Sequence, residues 1–220
     1  MSLWSVAKTF LSDPKAMPLV SANAYLGMRA IKRGLQEGAD IIICGRVADA
    51  SPVVGAAAWW HGWDDANFDA LAGALVAGHI IECSSYVTGS NFAGFASYLV
   101  DELVNFALPI VEIERTGESV VTKHQHPDWN GFVTNDTFKC QLRYELQGTM
   151  YLNSDVKADL TQIAVRQKSK DRVRVSGVKG YSPPPTTKLA IFYKAGYKVS
   201  VESPKSLPLR SIVDESRRKC

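Results

Sequence analysis

Four apolar residues, Ile41-Ile42-Ile43-Cys44, stand between Ala39-Asp40 and the polar stretch Gly45-Arg46-Val47-Ala48-Asp49-Ala50-Ser51-Pro52. This run constrains the fold more than any other feature of the chain. A short unbroken apolar run bounded by turn residues suits a strand covered on both faces, as in a parallel sheet between helices. The flanking patterns agree. Ser21 is placed to cap a helix over residues 21–36, where Ala24, Met28, Ile31 and Leu35 recur at spacings of four, three and four. Gly38, just past its end, suits a left-handed cap. Beyond the run, Ser51-Pro52 reads as the cap and first residue of a second helix over 52–60. The expectation is an α/β fold: a mostly parallel sheet with 39–44 as an interior strand, flanking helices, and a more antiparallel portion over 161–201.

Further along, DANFDALAGALVAGHIIEC (65–83) reads as a helix in which Gly73 and Gly78 permit close packing on a neighbour. A small-residue loop follows at 88–94. Residues 109–122 read as a hairpin around Thr116-Gly117, and Thr134 or Asn135 caps a helix carrying Phe138, Leu142 and Leu146. RVRVSGV (172–178) alternates basic and apolar residues, as a half-exposed strand does. Three prolines, Pro183 to Pro185, form a stiff connector before a strand at 188–193.

Charge and cysteines narrow the class of protein. Of 25 basic and 22 acidic residues, five basic and two acidic lie in 204–220, so the remainder of the chain is balanced. The domain reading is one domain over 1–200 with a basic tail over 201–220. No basic face for nucleic acid is built. No segment approaches the ~18 consecutive apolar residues of a membrane span, and no secretory leader is evident. The four cysteines are widely spaced and form no C-x-x-C pair, which suits a reducing compartment. The expectation is cytoplasmic, with a mitochondrial address and self-association left open.

The strand-to-helix loop 45–51 is the first candidate site, because ligands of open α/β sheets lie outside the carboxyl ends of the strands, where helix N-termini favour anions. There Arg46 suits a carboxylate or phosphate, while Asp49 serves as a base or pairs with Arg46; Gly45 and Ser51 complete the loop. Asn23 is either a local cap or a ligand group. His79, Glu82 and Cys83 stand at i, i+3 and i+4, a spacing for an acid/base pair or a shared metal. A helical histidine is more often satisfied structurally; of the two chemical readings the acid/base pair His79–Glu82 is preferred, and no metal is assigned. Thr88 belongs to a glycine–hydroxyl loop able to touch a phosphate, although the P-loop pattern is missing and a packed turn is the better reading. Lys123 is a candidate anion ligand, and His124 and His126 lie in an exposed polar loop. The cluster Trp59-Trp60-His61-Gly62-Trp63 reads as a helix end on the core in preference to a cavity lining. No cofactor follows from these residues.

Several longer blocks carry a resemblance: SANAYLGMRAI, GADIIICGRVADAS, LAGALVAGHIIECSSYVTGSNF, LPIVEI, VTK, GFVTNDTFKCQLRYELQG, YLNSDVKADL and RVRVSGVKGYSPPPTTKLAIFY, in this order. Over roughly residues 20–200 the chain resembles the acyclic terpene utilisation (AtuA-like) family, with NGFVTNDT and YLNSDVKADL nearer to fungal members than to bacterial ones. The resemblance implies a place in the breakdown of acyclic terpenes through CoA thioesters. An isoprenoid or branched acyl-CoA is then the implied small-molecule partner, with Arg46, Asp49 and Lys123 in matching blocks. Family members are typically longer at the N-terminus, so the resemblance also implies a truncated chain. A non-catalytic acyl-CoA-binding module, or an inactive fragment, is the alternative to an enzyme.

Overall fold

The computed structural model describes Asp13, residues 18–146 and residues 148–194. The tail over 201–220 lies outside them. The chain divides into two units, residues 1–22 with 191–220, and residues 23–190. Strand β1 (Leu19–Ala24) and strand β9 (Leu189–Tyr193) form a two-stranded sheet, with Lys194 N donating to Pro18 O at 3.0 Å.

The two sheets of the second unit are antiparallel. One sheet runs β2-β3-β7-β6, from Pro109–Ile113, Ser119–Lys123, Arg172–Ser176 and Ala164–Ser169. Another runs β4-β5-β8, from Met150–Leu152, Lys157–Asp159 and Lys179–Tyr181. Four α-helices are present among the described residues: α1 (Arg29–Gln36), α2 (Ser51–His61), α3 (Phe68–Ile81) and α4 (Asn135–Arg143). The expected parallel sheet is therefore not the architecture. Among the described residues, parallel pairing is confined to the isolated bridges Leu26↔Val47 and Phe106↔Asn130.

Residues 39–44 show why the expectation failed. They run without forming a strand; Ile42 packs toward Gly34, while Ile41 and Ile43 are 82% and 93% exposed. Apolar content says that a segment favours cover, but not which neighbour supplies the hydrogen bonds of a ladder. The helix expected over 21–36 is likewise shorter, starting at Arg29, and Ser21 lies in β1. The start of α1 is fixed from far away: the Asp155 carboxylate accepts from Met28 N at 2.8 Å. A carboxylate at a helix N-terminus satisfies a donor that has no partner within the helix. Gly27 makes this approach available, since a Cβ there would lie 2.0 Å from Asp155 Oδ1. Nor does Ser51 cap α2. It is the first helical residue, after Ala50, with Pro52 behind it, and no side-chain cap bond forms.

Other expectations hold. The hairpin β2–β3 turns at Gly117, and Thr134 caps α4 by accepting from Thr137 N. In β7, Val173 and Val175 are buried while Arg172 and Arg174 reach Glu112, Glu114 and Glu118 on the outer face. Gly38 takes the left-handed conformation past α1.

Helix α3 is the centre of the second unit. Residues 70–80 are all buried, because α2, α4, β5, β8 and the β2–β3 hairpin pack around it. A helix surrounded on all sides is apolar all round rather than striped. The two glycines let neighbours approach: a Cβ on Gly73 would lie 2.1 Å from Gly117 O, and one on Gly78 would lie 2.8 Å from Ala50 Cβ.

Candidate functional site

A cleft of about 830 Å³ opens in the second unit. Its lining includes Tyr25, Asp49, Tyr144, Glu145, Tyr151 and Lys188. Its size falls in the ordinary range for small-molecule sites, roughly 300–1,000 Å³.

Local structure places each wall. The turn between β4 and β5 is fixed by Asp155 N donating to Asn153 Oδ1 at 3.0 Å. From that turn Ser154 Oγ donates to Tyr25 O at 2.6 Å and Asp155 accepts from Met28 N, holding the segment before α1 on the cleft. The 45–51 loop is tied to the same segment, with Leu26 N donating to Arg46 O and Ala48 N to Leu26 O. At the mouth, two cations face one ring: Arg46 Cζ is 5.3 Å and Lys188 Nζ 4.6 Å from the Tyr25 centroid. Both distances suit cation–π attraction.

Behind the cleft lies His79, fully buried in α3. Its Nδ1 is 3.2 Å from Glu82 Oε1, and its Nε2 is 3.3 Å from Leu142 O. That carbonyl lies in the last turn of α4, where helical acceptors lack helical donors. Gln141 Nε2 returns a bond to His79 O at 3.1 Å, so α3 and α4 are clamped reciprocally. Tyr144 stacks on the imidazole at 5.7 Å and Tyr151 meets it edge-on at 5.2 Å. These two rings separate His79 from the cleft that they line.

The phenols carry the mark of this environment. Burial, then the charges of Glu82, Glu145 and Asp49, hold the Tyr151 hydroxyl well above the usual phenol range. Tyr144 is pushed up by partial burial and by hydrogen bonding to Cys83 and Glu145; its hydroxyl lies 2.7 Å from Cys83 Sγ. Both therefore remain O–H donors at neutral pH.

The sequence-derived candidates separate into groups. Asp49 lines the cleft and Arg46 stands exposed at its mouth, and the ion pairs of the described residues include none between them. His79 and Glu82 lie behind the aromatic wall. Ser51 is buried, its Oγ turned toward Asp155 without completing a hydrogen bond of full geometry. Gly45 is exposed with open space where a Cβ would be, and Asn23 is exposed in β1. Thr88 is buried, its hydroxyl engaged by Ala107 O and Ser85 O, and Lys123 is buried at the end of β3. Neither Thr88 nor Lys123 lines the cleft. The tryptophan cluster divides: Trp63 is in the core and donates to Arg115 O, whereas Trp59 and Trp60 are exposed beside a shallow apolar groove.

Tyr25, Tyr144, Glu145, Tyr151 and Lys188 escaped the sequence reading. None sits in a catalytic spacing. All five nonetheless fall inside the quoted blocks of resemblance, which was the available signal.

The model of the acyclic terpene utilisation family, AtuA, matches residues 5–204. No curated protein and no solved structure matches the chain. Among the described residues, no helix is long and apolar enough to cross a membrane.

Proposed function

From the premise that the chain belongs to the acyclic terpene utilisation family, we propose that this cleft binds an isoprenoid or branched acyl thioester and that its polar groups perform acid–base chemistry beside the thioester carbonyl. The observation that carries the reading is the pairing of two cations over Tyr25 with phenol donors and a carboxylate in the same cleft lining. An acyl-CoA is anionic at one end and apolar at the other. Arg46 and Lys188 suit its phosphates. The Tyr144 and Tyr151 hydroxyls suit the carbonyl oxygen, where donors stabilise developing negative charge. Asp49, a carboxylate of the lining beside Glu145, accepts a proton from the carbon next to that carbonyl in this reading.

Thermal melting with geranyl-CoA, isovaleryl-CoA and free CoA tests binding. A ligand held only by the folded chain at a hundredfold excess over its Kd stabilises it by ~2.7 kcal/mol. The shift should shrink in Arg46→Ala and Lys188→Ala, and with added salt, because the phosphate contacts are exposed to screening. Exchange of the thioester α-protons in D2O, followed by NMR, tests the chemistry and should be lost in Asp49→Asn. Absence of a shift with every thioester would overturn the ligand assignment. A shift without exchange would leave a binding module that has no turnover.

A further inference from the structure

We propose that His79, Glu82 and Glu145 form a binding site for a divalent first-row metal ion at the inner edge of the cleft. One ligand atom from each of the three lies within 4.8 Å of the others. Two ligands held tetrahedrally at ~2.1 Å from one ion are about 3.4 Å apart, so a small rotation of the exposed Glu145 side chain closes the set.

The hydrogen bonding around His79 gives the argument its direction. A carbonyl oxygen only accepts, so the bond to Leu142 O places the ring proton on Nε2. In the neutral imidazole Nδ1 then presents a lone pair, and what faces it at 3.2 Å is a carboxylate oxygen. Two acceptors at that distance repel unless a positive centre, either a proton or a metal ion, lies between them. Donation of the second ring nitrogen to a backbone carbonyl is also how metal-bound histidines are ordinarily oriented.

Glu82 supplies an independent observation. Its side chain is only 9% exposed, and Oε2 is buried without a hydrogen-bond partner. A buried carboxylate oxygen without a donor is costly, and a cation removes that cost. The field points the same way: Glu82, Glu145 and Asp49 each push the Tyr151 hydroxyl upward through their Coulombic effect. One imidazole nitrogen with two carboxylates suits Zn2+ or Mn2+ better than Mg2+, which prefers oxygen alone. Of the three, Glu145 lines the cleft, while His79 and Glu82 lie behind the Tyr144 and Tyr151 rings. This inference stands apart from the acyl thioester reading, and either can fail without the other.

The test uses the full chain, stripped with EDTA and dialysed against ZnCl2, MnCl2 or MgCl2, with bound metal counted by mass spectrometry and Zn2+ affinity measured by calorimetry. Co2+ loading, read by its visible absorption, reports the donor set. The expected result is one Zn2+ per chain, weakened about tenfold or more in Glu145→Gln and lost in Glu82→Gln. Glu145 is exposed, so its variant should keep the wild-type circular dichroism and carries the test even if the Glu82 variant does not fold. Doubly substituted His124→Ala/His126→Ala should bind Zn2+ as wild type does, which separates the site from the exposed histidines. Substoichiometric metal, or affinity unchanged in Glu145→Gln, would overturn the proposal and leave His79–Glu82 as a proton-sharing pair. Zn2+ binding lost in the double histidine variant would overturn it as well.

Discussion

Gly73→Ala sets two opposing effects against each other, and the structure decides between them. Helix propensity favours alanine over glycine by ~1 kcal/mol in a helix interior. Against this, the new Cβ would lie 2.1 Å from Gly117 O, and the neighbouring carbon would be at 2.7 Å. The obstacle is backbone, in a turn pinned by Glu114 N to Glu118 O at 2.8 Å and Gly117 N to Glu114 O at 2.9 Å. Gly117 cannot move away cheaply. It holds a positive φ of 87°, and its own missing Cβ would meet Ala70 Cα at 2.6 Å. Overpacking of this kind falls at the upper end of its usual range, ~3 kcal/mol. The net effect is ~2 kcal/mol of destabilisation, or a Tm lower by about 4–8 °C for a chain of this length.

Gly34→Ala is the internal control. It is also a helix-interior glycine, but its Cβ would meet side chains and no backbone: Ile42 Cδ1 at 3.0 Å, Ile42 Cγ1 at 3.4 Å and Ala39 Cβ at 4.0 Å. Propensity should prevail there, leaving Tm unchanged or raised by a few degrees. Calorimetric melting of the two variants beside wild type is sufficient. A Gly73→Ala chain as stable as wild type would refute the claim that helix and turn meet through their glycines.

Asp155 should set a pH dependence. Burial raises its pKa above the ordinary 3.8 despite the bond from Met28 N and the charge of Arg29, so its contribution to stability is greatest at low pH and declines as pH rises through the raised folded value. Asp155→Asn, which keeps an oxygen for Met28 N, should therefore gain more Tm over wild type at pH 7 than near pH 4; an equal difference at both would refute this. Thr134→Ala removes the acceptor of Thr137 N and should cost ~1 kcal/mol, about 2–4 °C in melting. Arg174→Ala breaks pairs with Glu114 and Glu118 on an open sheet face and should lower Tm only slightly, with the difference shrinking further in high salt.

The sequence was legible where an element's partners are near in the chain. The β2–β3 hairpin carries its own turn, and α4 carries its own cap in Thr134. Strand β7 announces its two faces by alternation. Legibility ended where the deciding partner is distant. The apolar run 39–44 called for cover that its own residues cannot designate. Helix α1 begins where it does because Asp155 reaches Met28 from 127 positions away. The site follows the same rule. Asp49 and Arg46 were visible as polar residues after an apolar run, and His79–Glu82 as a helical spacing. The rings and charges that give these residues a setting come from the end of α4, from β4 and from Lys188. No local pattern marks them, because what brings them together is packing around α3.

That packing also ties the site to the core. His79 stands in the last turn of a helix buried from Ala70 to Ile80. Its ring is held by a carbonyl from α4, while Gln141 of α4 holds the His79 carbonyl in return. One turn before the end of α3, Gly78 packs against Ala50, the residue that precedes α2 and follows Asp49. The His79 pair and the Asp49 loop thus both rest on the same few residues of α3. A side chain added at Gly78 would press on Ala50 while shifting the helix that carries His79. Its consequences should reach the Asp49 loop and the His79–Glu82 pair together, whereas Gly34→Ala, outside the cleft lining and beside Ile42 and Ala39, should reach neither.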